Sequence, residues 1–237
     1  MSQRVAALHI GGAFSCLEIV DFIYRELMRP HDVFILSKGH GALAQYAVLE
    51  GFGIVSLDDY GGRLGVHPDR ETPGIEASTG SLGHGLGIAA GIAYAERELR
   101  GSDARVMVLI SDGELMEGST WEAMLLAANL GLANLAVFVD YNDQISCGSI
   151  SFRFPWLEPI QDKASAFGFH AQRVNGHDVE QLRDACPGKA TVPSMLICDT
   201  VKGKGVSFME RAPMWHYRSP SRDEYVAAID GLVEVER

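Results

Sequence analysis

Two short segments carry the residue types most suited to holding a charged ligand. Ser111-Asp112-Gly113 follows the apolar run Arg105 to Ile110, and Asp140-Tyr141-Asn142-Asp143-Gln144 follows the apolar run Leu135 to Val139. Each run is too short for a helix and reads as a strand buried on both faces. Between them, Gly118-Ser119-Thr120 offers hydroxyl caps for a helix from about Trp121 to Leu130. A right-handed crossover through that helix makes the strands parallel, and their carboxyl ends then share the edge where α/β sheets bind ligands. Asp112 and Asn142 would sit side by side there. Magnesium takes a few hard oxygens from a protein and the rest from phosphate and water. Asp112, Asn142 and a loop carbonyl at Gln144 make such a set, with Gly113 permitting the turn. Either residue alone would pass as a turn former. Together, after two buried strands, they read as a site for a magnesium diphosphate.

The elements that must position these groups alternate along the chain. Phe14 to Arg29 reads as a helix, Val33 to Leu36 as a strand, and Gly41 to Glu50 and Gly85 to Arg100 as helices. Ser149 to Glu158, with Phe152, Phe154, Pro155 and Trp156, reads as irregular. Ile160 to Phe167 is predicted helical, Ala171 to Val174 a strand, Asp178 to Ala185 a helix, and Ser194 to Thr200 a last strand. This alternation predicts an α/β fold: a doubly wound, mostly parallel sheet with helices on both faces. No repeat, low-complexity stretch or linker interrupts it, so one domain over residues 1–237 is expected.

Composition sets outer bounds. With 237 residues, 47% of them hydrophobic, the chain can bury a large core. A net charge of −11 argues against nucleic acid, whose phosphates are bound by basic patches. No stretch approaches the roughly 20 apolar residues of a membrane span, and no signal region opens the chain; a cytoplasmic protein is expected. Cys16, Cys147, Cys186 and Cys198 form neither a CxxC pair nor a Cys/His cluster, so they read as small buried residues. An acidic chain that binds a diphosphate needs positive field from a metal and from helix N-termini. The turn Gly80-Ser-Leu-Gly-His-Gly85 could point backbone N–H groups at phosphate, or simply start a small-residue helix; one turn can do both.

These segments resemble the thiamine-diphosphate-binding half of the transketolase family, whose signature is a Gly-Asp-Gly turn followed, one helix and one strand later, by Asn. The likeness runs through the chain in the family's order. Leu8 to Cys16 resembles the early histidine-glycine segment, Ser37-Lys-Gly-His40 the SKGH motif, and Gly65-Val-His-Pro-Asp69 the HPE-like motif. Glu76 to Gly85 resembles the TGPLGQG-type loop, and Lys202 to Glu210 with Trp215-His216 the closing segment. By resemblance, thiamine diphosphate and Mg2+ are the cofactors, held by Gly80, Leu82, His84, Gly113, Glu114, Glu117 and Asn142, with Asp112, Asn142 and Gln144 on the metal. Glu114 and Glu117 would otherwise pass as surface helix residues; Glu117 matches an acidic residue that couples cofactor sites across the subunit interface.

Histidines at positions matching His9, His40, His67 and His216 line the substrate channel in that family, and the expected chemistry needs them. Cleaving a ketose beside its carbonyl calls for proton transfers by groups titrating near neutrality. His31, His170 and His177 carry no such expectation. The implied reaction transfers a two-carbon unit from a ketose or 2-keto acid to an aldehyde or ketone acceptor, with the cofactor as electron sink. The family's activating glutamate lies on a pyrimidine-binding domain, and here the chain ends at Arg237, soon after the closing motif. The expectation is therefore a separate pyrimidine-binding subunit in an α2β2 assembly acting on small sugars or keto acids. Two departures stand out: Ser111 replaces the first glycine of the signature, tolerable if its φ is negative, and the family's additional N-terminal helix has no counterpart before His9. A pyruvate-using relative and a non-catalytic regulatory subunit remain the alternatives.

Overall fold

The structure, a computed structural model, describes residues 7–146, 148–186 and 190–235. The chain opens with α1 (Ile10–Phe14) and α2 (Leu17–Phe22), a π turn over Ile23–Leu27, strand β1 (Val33–Leu36) and helix α3 (Ala42–Gly51). Helix α4 (Gly85–Tyr94), β2 (Val106–Ser111), α5 (Gly118–Asn129) and β3 (Leu135–Tyr141) follow. A small hairpin, β4 (Gln144–Ile145) and β5 (Gly148–Ser149), leads into α6 (Ile150–Arg153) and α7 (Ile160–Ala166). The chain then forms β6 (His170–Asn175), α8 (Val179–Ala185), β7 (Ser194–Asp199) and α9 (Arg222–Val235). The main sheet has the order β1-β2-β3-β7-β6, with every pair parallel.

Alternation along the strands divides the core in two, because successive side chains of a strand point to opposite faces. Phe34, Leu36, Met107, Leu109, Phe138 and Leu196 join the core that contains Ile19, Val20, Tyr46 and Leu182 of α2, α3 and α8. Ile35, Val106, Val108, Ile110, Val137, Val139 and Ile197 join the other, with Leu86, Ala89, Ala93, Met124 and Ala164 of α4, α5 and α7. Each fully buried aliphatic or aromatic side chain contributes about 1.5–3 kcal/mol, so both layers are held strongly. The expected fold class, helices on both faces of a parallel sheet, is what the chain adopts. A third cluster, Val206, Met209 and Trp215 with Leu232 of α9, anchors the closing segment.

The register sets the site. Ser111 of β2 lies opposite Asp140 of β3, and Asp140 opposite Cys198 of β7, so Asp112, Asn142 and the segment after Asp199 emerge together at the carboxyl edge. That side-by-side placement is the one a right-handed crossover predicts.

Several boundaries differ from expectation. The predicted helix Phe14 to Arg29 begins earlier, at Ile10, and breaks at Ser15 and Cys16, where Cys16 leaves helical geometry at φ −118° and ψ 8°. The cause is long-range: the Ser15 hydroxyl bonds Asp140 at 2.5 Å. The predicted helix to Arg100 ends as a π turn over Ala95–Leu99. The irregular stretch contains α6, capped by the Ser149 hydroxyl accepting from Phe152 N at 3.3 Å, and a 3-10 turn at Pro155–Leu157. Helix α9 corresponds to no expected element. Of the cysteines, Cys16 and Cys198 are buried free thiols and Cys186 is half-buried, while Cys147, like the segment before Ala7, lies outside the described residues. Among the described residues no helix is long and apolar enough to cross a membrane.

Candidate functional site

At the carboxyl edge of β2 and β3 a cavity of about 240 Å3 is walled by His9, His40, His67 and His216 on one side and by Asp112, Gly113, Asn142 and Gln144 on the other, with Gly80 and Leu82 between. Larger surface clefts of about 440 and 550 Å3 bring together none of these groups.

The floor begins at the end of β2. Ser111 is extended, at φ −98°, and forms a capping box: its hydroxyl accepts from Glu114 N at 3.3 Å, while Glu114 Oε2 accepts from Ser111 N at 2.9 Å. The serine in the usual glycine position thus has a structural use. Glu114 is fully buried rather than a surface helix residue. Its Oε1 accepts from Ser37 Oγ and from Gly83 N, the latter at 3.0 Å, tying the glycine turn to the strand ends. Both its oxygens are engaged and it stands outside the cavity lining. Gly83 has φ +83°, and a Cβ there would meet Glu117 Cβ and Ser119 Oγ at 2.6 Å, so the turn requires glycine.

Asp112 is 1% exposed. Its Oδ1 accepts from Gly113 N at 2.8 Å, and its Oδ2 is buried without a hydrogen-bond partner. Burial, reinforced by the nearby Asp140 charge, pushes this carboxyl up to about 7. A buried carboxylate oxygen with no partner costs free energy unless a cation meets it. Asn142 is oriented for the same purpose. Its Nδ2 donates to Asp140 Oδ2 at 3.2 Å and Ser15 Oγ at 3.3 Å, which leaves Oδ1, already accepting from Gln144 N at 3.0 Å, with a free lone pair. Asp112 Oδ2, Asn142 Oδ1 and a main-chain carbonyl are a hard-oxygen set that fits a magnesium-sized ion.

Beneath this floor lies a buried ion pair that sequence reasoning missed. Lys38 Nζ donates to Asp140 Oδ2 and, at 2.9 Å, to Gly12 O, and both side chains are fully buried. Burial opposes charge on each, but their mutual attraction prevails: Lys38 is raised and Asp140 lowered from their ordinary values. Thr200 Oγ1 and Ser15 Oγ complete the partners of Asp140. The available signal was Lys38 itself, a lysine two residues after the apolar strand Val33–Leu36 and inside the SKGH motif.

The opposite wall is the histidine cluster. Ring centroids lie 5.4 Å apart for His9 and His40, 5.2 Å for His9 and His216, and 6.3 Å for His9 and His67. Burial lowers His9, lowers His40 well below the usual histidine range, and with the charge of Lys202 takes His216 down to about 4. These three rings are neutral at neutral pH. Lys202 is 2% exposed; burial and the Lys38 charge lower it to about 8, against the pull of Asp112 and Asp140. Its Nζ lies 2.8 Å from His216 Nδ1 and donates to Gln144 O at 3.2 Å. The carbonyl expected as a metal ligand is therefore already a hydrogen-bond acceptor, with its second lone pair remaining.

Of the residues expected at the site, ten line the cavity: His9, His40, His67, His216, Gly80, Leu82, Asp112, Gly113, Asn142 and Gln144. His84, at the N-cap of α4, and Glu117 are exposed and outside it. Among the described residues no cluster of three His, Cys, Asp or Glu side chains could hold a metal.

This is an α/β domain whose carboxyl edge gathers carboxylate and amide oxygens and four imidazoles around one cavity. The family described as "Transketolase, thiamine diphosphate binding domain" matches residues 9–229. The chain is 35% identical to one subunit of the apulose-4-phosphate transketolase of Phocaeicola vulgatus, over 98% of its own length and 88% of that protein. It is 37% identical to the 6-deoxy-6-sulfo-D-fructose transketolase subunit of a Clostridium species, over 94% and 88%. In fold it matches transketolase from Leishmania mexicana with a TM-score of 0.77 and 27% identity, covering 96% of this chain and 44% of that one. The protein belongs to the transketolase thiamine-diphosphate-binding domain family.

Proposed function

We propose that this chain is the diphosphate- and magnesium-binding half of a two-subunit, transketolase-like transferase, a single domain that moves a two-carbon unit from a ketose donor to an aldehyde acceptor. The observation that carries the reading is Asp112 Oδ2, buried and unpartnered beside Asn142 in a histidine-walled cavity. When bound, thiamine diphosphate supplies the electron sink for breaking the carbon–carbon bond next to a ketone. The chain's own residues do the rest. Asp112, Asn142 and the Gln144 carbonyl would hold Mg2+, which would supply positive charge for a diphosphate, and Gly80 and Gly113 would leave room for it. Gly80 has φ +146°, and a Cβ there would strike His67 at 2.8 Å. Neutral His9 and His40 would accept and return protons at substrate hydroxyls, and His216 would donate a hydrogen bond there. Burial makes His40 a weak base, so it gives up a proton readily once it has taken one.

A partner supplies the pyrimidine side of the cofactor pocket. Support comes from relatives named as transketolase subunits, 88% of whose length this chain matches. The proposed assembly is α2β2, in the cytoplasm, where the free thiols of Cys16, Cys186 and Cys198 would stay reduced. The relatives' names concern a sugar phosphate and a sulfosugar; the substrate class proposed here is likewise a ketose.

The test is to isolate the native complex, measure its thiamine diphosphate and magnesium content, and screen hydroxypyruvate against pyruvate as donor. A second subunit, bound cofactor and hydroxypyruvate turnover are expected. Pyruvate turnover would move the protein to acetyl transfer, and a lone chain without cofactor or turnover would overturn the enzymatic reading.

A further inference from the structure

The histidine wall is asymmetric, and a single lysine accounts for it. A carbonyl oxygen only accepts, so the 2.8 Å contact between His9 Nδ1 and the His216 carbonyl requires the proton of His9 to sit on Nδ1. The Nε2 of neutral His9 is then a lone pair. At His216 the pattern reverses. Its Nδ1 lies 2.8 Å from Lys202 Nζ, and an ammonium only donates, so Nδ1 must be the acceptor and the ring proton sits on Nε2. With both Nδ1 atoms engaged, the rings offer the cavity one acceptor, on His9, and one donor, on His216. Their centroids are 5.2 Å apart, with planes at 89°.

Lys202 is built to hold that contact. Its backbone is fixed on both sides: Val201 N donates to His177 Nε2 at 2.8 Å, Gly203 N to Gly11 O at 3.0 Å, and Arg211 N to Lys202 O at 2.9 Å. A Cβ on Gly11 would meet the Lys202 Cγ at 3.4 Å and Trp215 O at 2.8 Å, so the lysine stem and the turn carrying His216 pack on one glycine. His216 is fixed by its neighbour: Trp215 is 1% exposed, donates from Nε1 to Phe208 O at 3.1 Å, and lies under the Arg218 guanidinium at 4.1 Å.

We propose that Lys202 is a positioning residue that fixes His216 in the Nε2–H tautomer, so that His9 and His216 face the cavity as a preset acceptor and donor. The catalytic consequence rests on the transferase function; the central measurement does not. The full chain, labelled with 15N-histidine, reports ring tautomers through imidazole nitrogen shifts, and His216→Gln identifies the relevant signals. The wild type is expected to show a protonated Nε2 and an unprotonated Nδ1 at His216. Lys202→Met is expected to mix the two tautomers, and Lys202→Arg, which still donates, to restore the single one. A wild-type His216 protonated on Nδ1, or a Lys202→Met spectrum unchanged at His216, would overturn the proposal.

In the assembled complex, Lys202→Met should lower kcat by about 10- to 100-fold, the scale for losing a group that orients a metal-bound histidine, with partial rescue by Lys202→Arg and a smaller change in KM. A purely structural role for Lys202 would lower the melting temperature of the Met and Arg variants alike, with no tautomer difference between them, and would count against positioning. If the tautomers behave as expected and the complex turns over no ketose donor, the function has failed and the positioning role stands.

Discussion

Two buried carboxylates sit at opposite ends of the same sheet, and they are treated differently. Asp32, just before β1 at the amino edge, has a fully buried side chain that accepts from Arg29 N at 2.9 Å and Arg105 N at 2.8 Å, as well as from both guanidinium groups. Those arginines are 38% and 35% exposed, so its charge is balanced by groups that remain in contact with water. Asp140, at the carboxyl edge, faces a lysine that is fully buried. One carboxylate away, Asp112 Oδ2 has no partner. The amino edge balances the charge of Asp32 and leaves only a neutral amide oxygen, Asn134 Oδ1, without a partner. The carboxyl edge encloses its charges and leaves an acceptor open, which is the division between stability and function expected for an open α/β sheet.

The largest effect should come from breaking the enclosed pair. Lys38→Met leaves Asp140 buried and uncompensated and is expected to cost about 3–5 kcal/mol, the range for removing one partner of a buried ion pair. Urea unfolding of the isolated chain measures it. The double variant Lys38→Met/Asp140→Leu should recover part of the loss, since it removes the stranded charge. A loss below about 1 kcal/mol in the single variant would mean that the edge is better solvated than its burial implies.

Asp112 should behave in the opposite way. Asp112→Asn keeps an acceptor for Gly113 N but removes the anionic oxygen, so magnesium-dependent thiamine diphosphate binding by the complex should weaken on the order of 100-fold. Stability of the metal-free chain should stay level or rise by about 1–3 kcal/mol, because a buried negative charge beside Asp140 has been removed. Calorimetric titration and thermal melts read the two effects separately. Unweakened binding would move the metal elsewhere.

At the amino edge, the sign of the pH dependence follows from Asp32. Burial works to raise this carboxyl, but the hydrogen bonds from Arg29 and Arg105 outweigh it and hold the group below the ordinary carboxylate range. Its folded-state affinity for protons is thus lower than in the unfolded chain. The resulting stability is fully present above about pH 4, the ordinary aspartate value, and is lost as pH falls from there towards the lowered value. Asp32→Asn should cost about 1–3 kcal/mol at neutral pH and flatten the acid limb of a stability-against-pH curve, with no change in cofactor binding. An unchanged acid limb would assign acid unfolding to other groups.

The contrast also explains what could be read from the sequence. The strands were legible because buried runs such as Val106 to Ile110 carry their own pattern, and with parallel pairing they bring Asp112 and Asn142 together. The four cavity histidines converge because their motifs lie at the same edge. Less visible were groups whose role depends on distant partners. The break at Ser15 exists because its hydroxyl reaches Asp140, 125 residues away. Glu114 carries a surface-type side chain, and beyond its local bond from Ser111 N the distant Ser37 and Gly83 are needed to satisfy its second oxygen. Lys202 becomes more than a basic residue near a turn once His216 is seen against it. Helix α9 did carry a legible signal, the i, i+4, i+7 spacing of Tyr225, Ile229 and Leu232, that the sequence expectations did not use.

The smallest effect should come from the rim of the same carboxyl edge. The segment after β5 carries Phe152 at 86% and Trp156 at 90% exposure, so Phe152→Ser and Trp156→Ser should each change the stability of the isolated chain by no more than about 0.5 kcal/mol. The segment is held through its backbone instead: Lys163 Nζ donates to the carbonyls of Trp156, Leu157 and Glu158, at 2.6 Å for Leu157 and 3.3 Å for Glu158. Lys163→Met should therefore quicken amide exchange across residues 156–158 while the two serine variants leave it unchanged. A serine variant that destabilised the chain by more than about 1 kcal/mol would show the aromatic rings packing in solution, adding an apolar contribution at the rim of this edge.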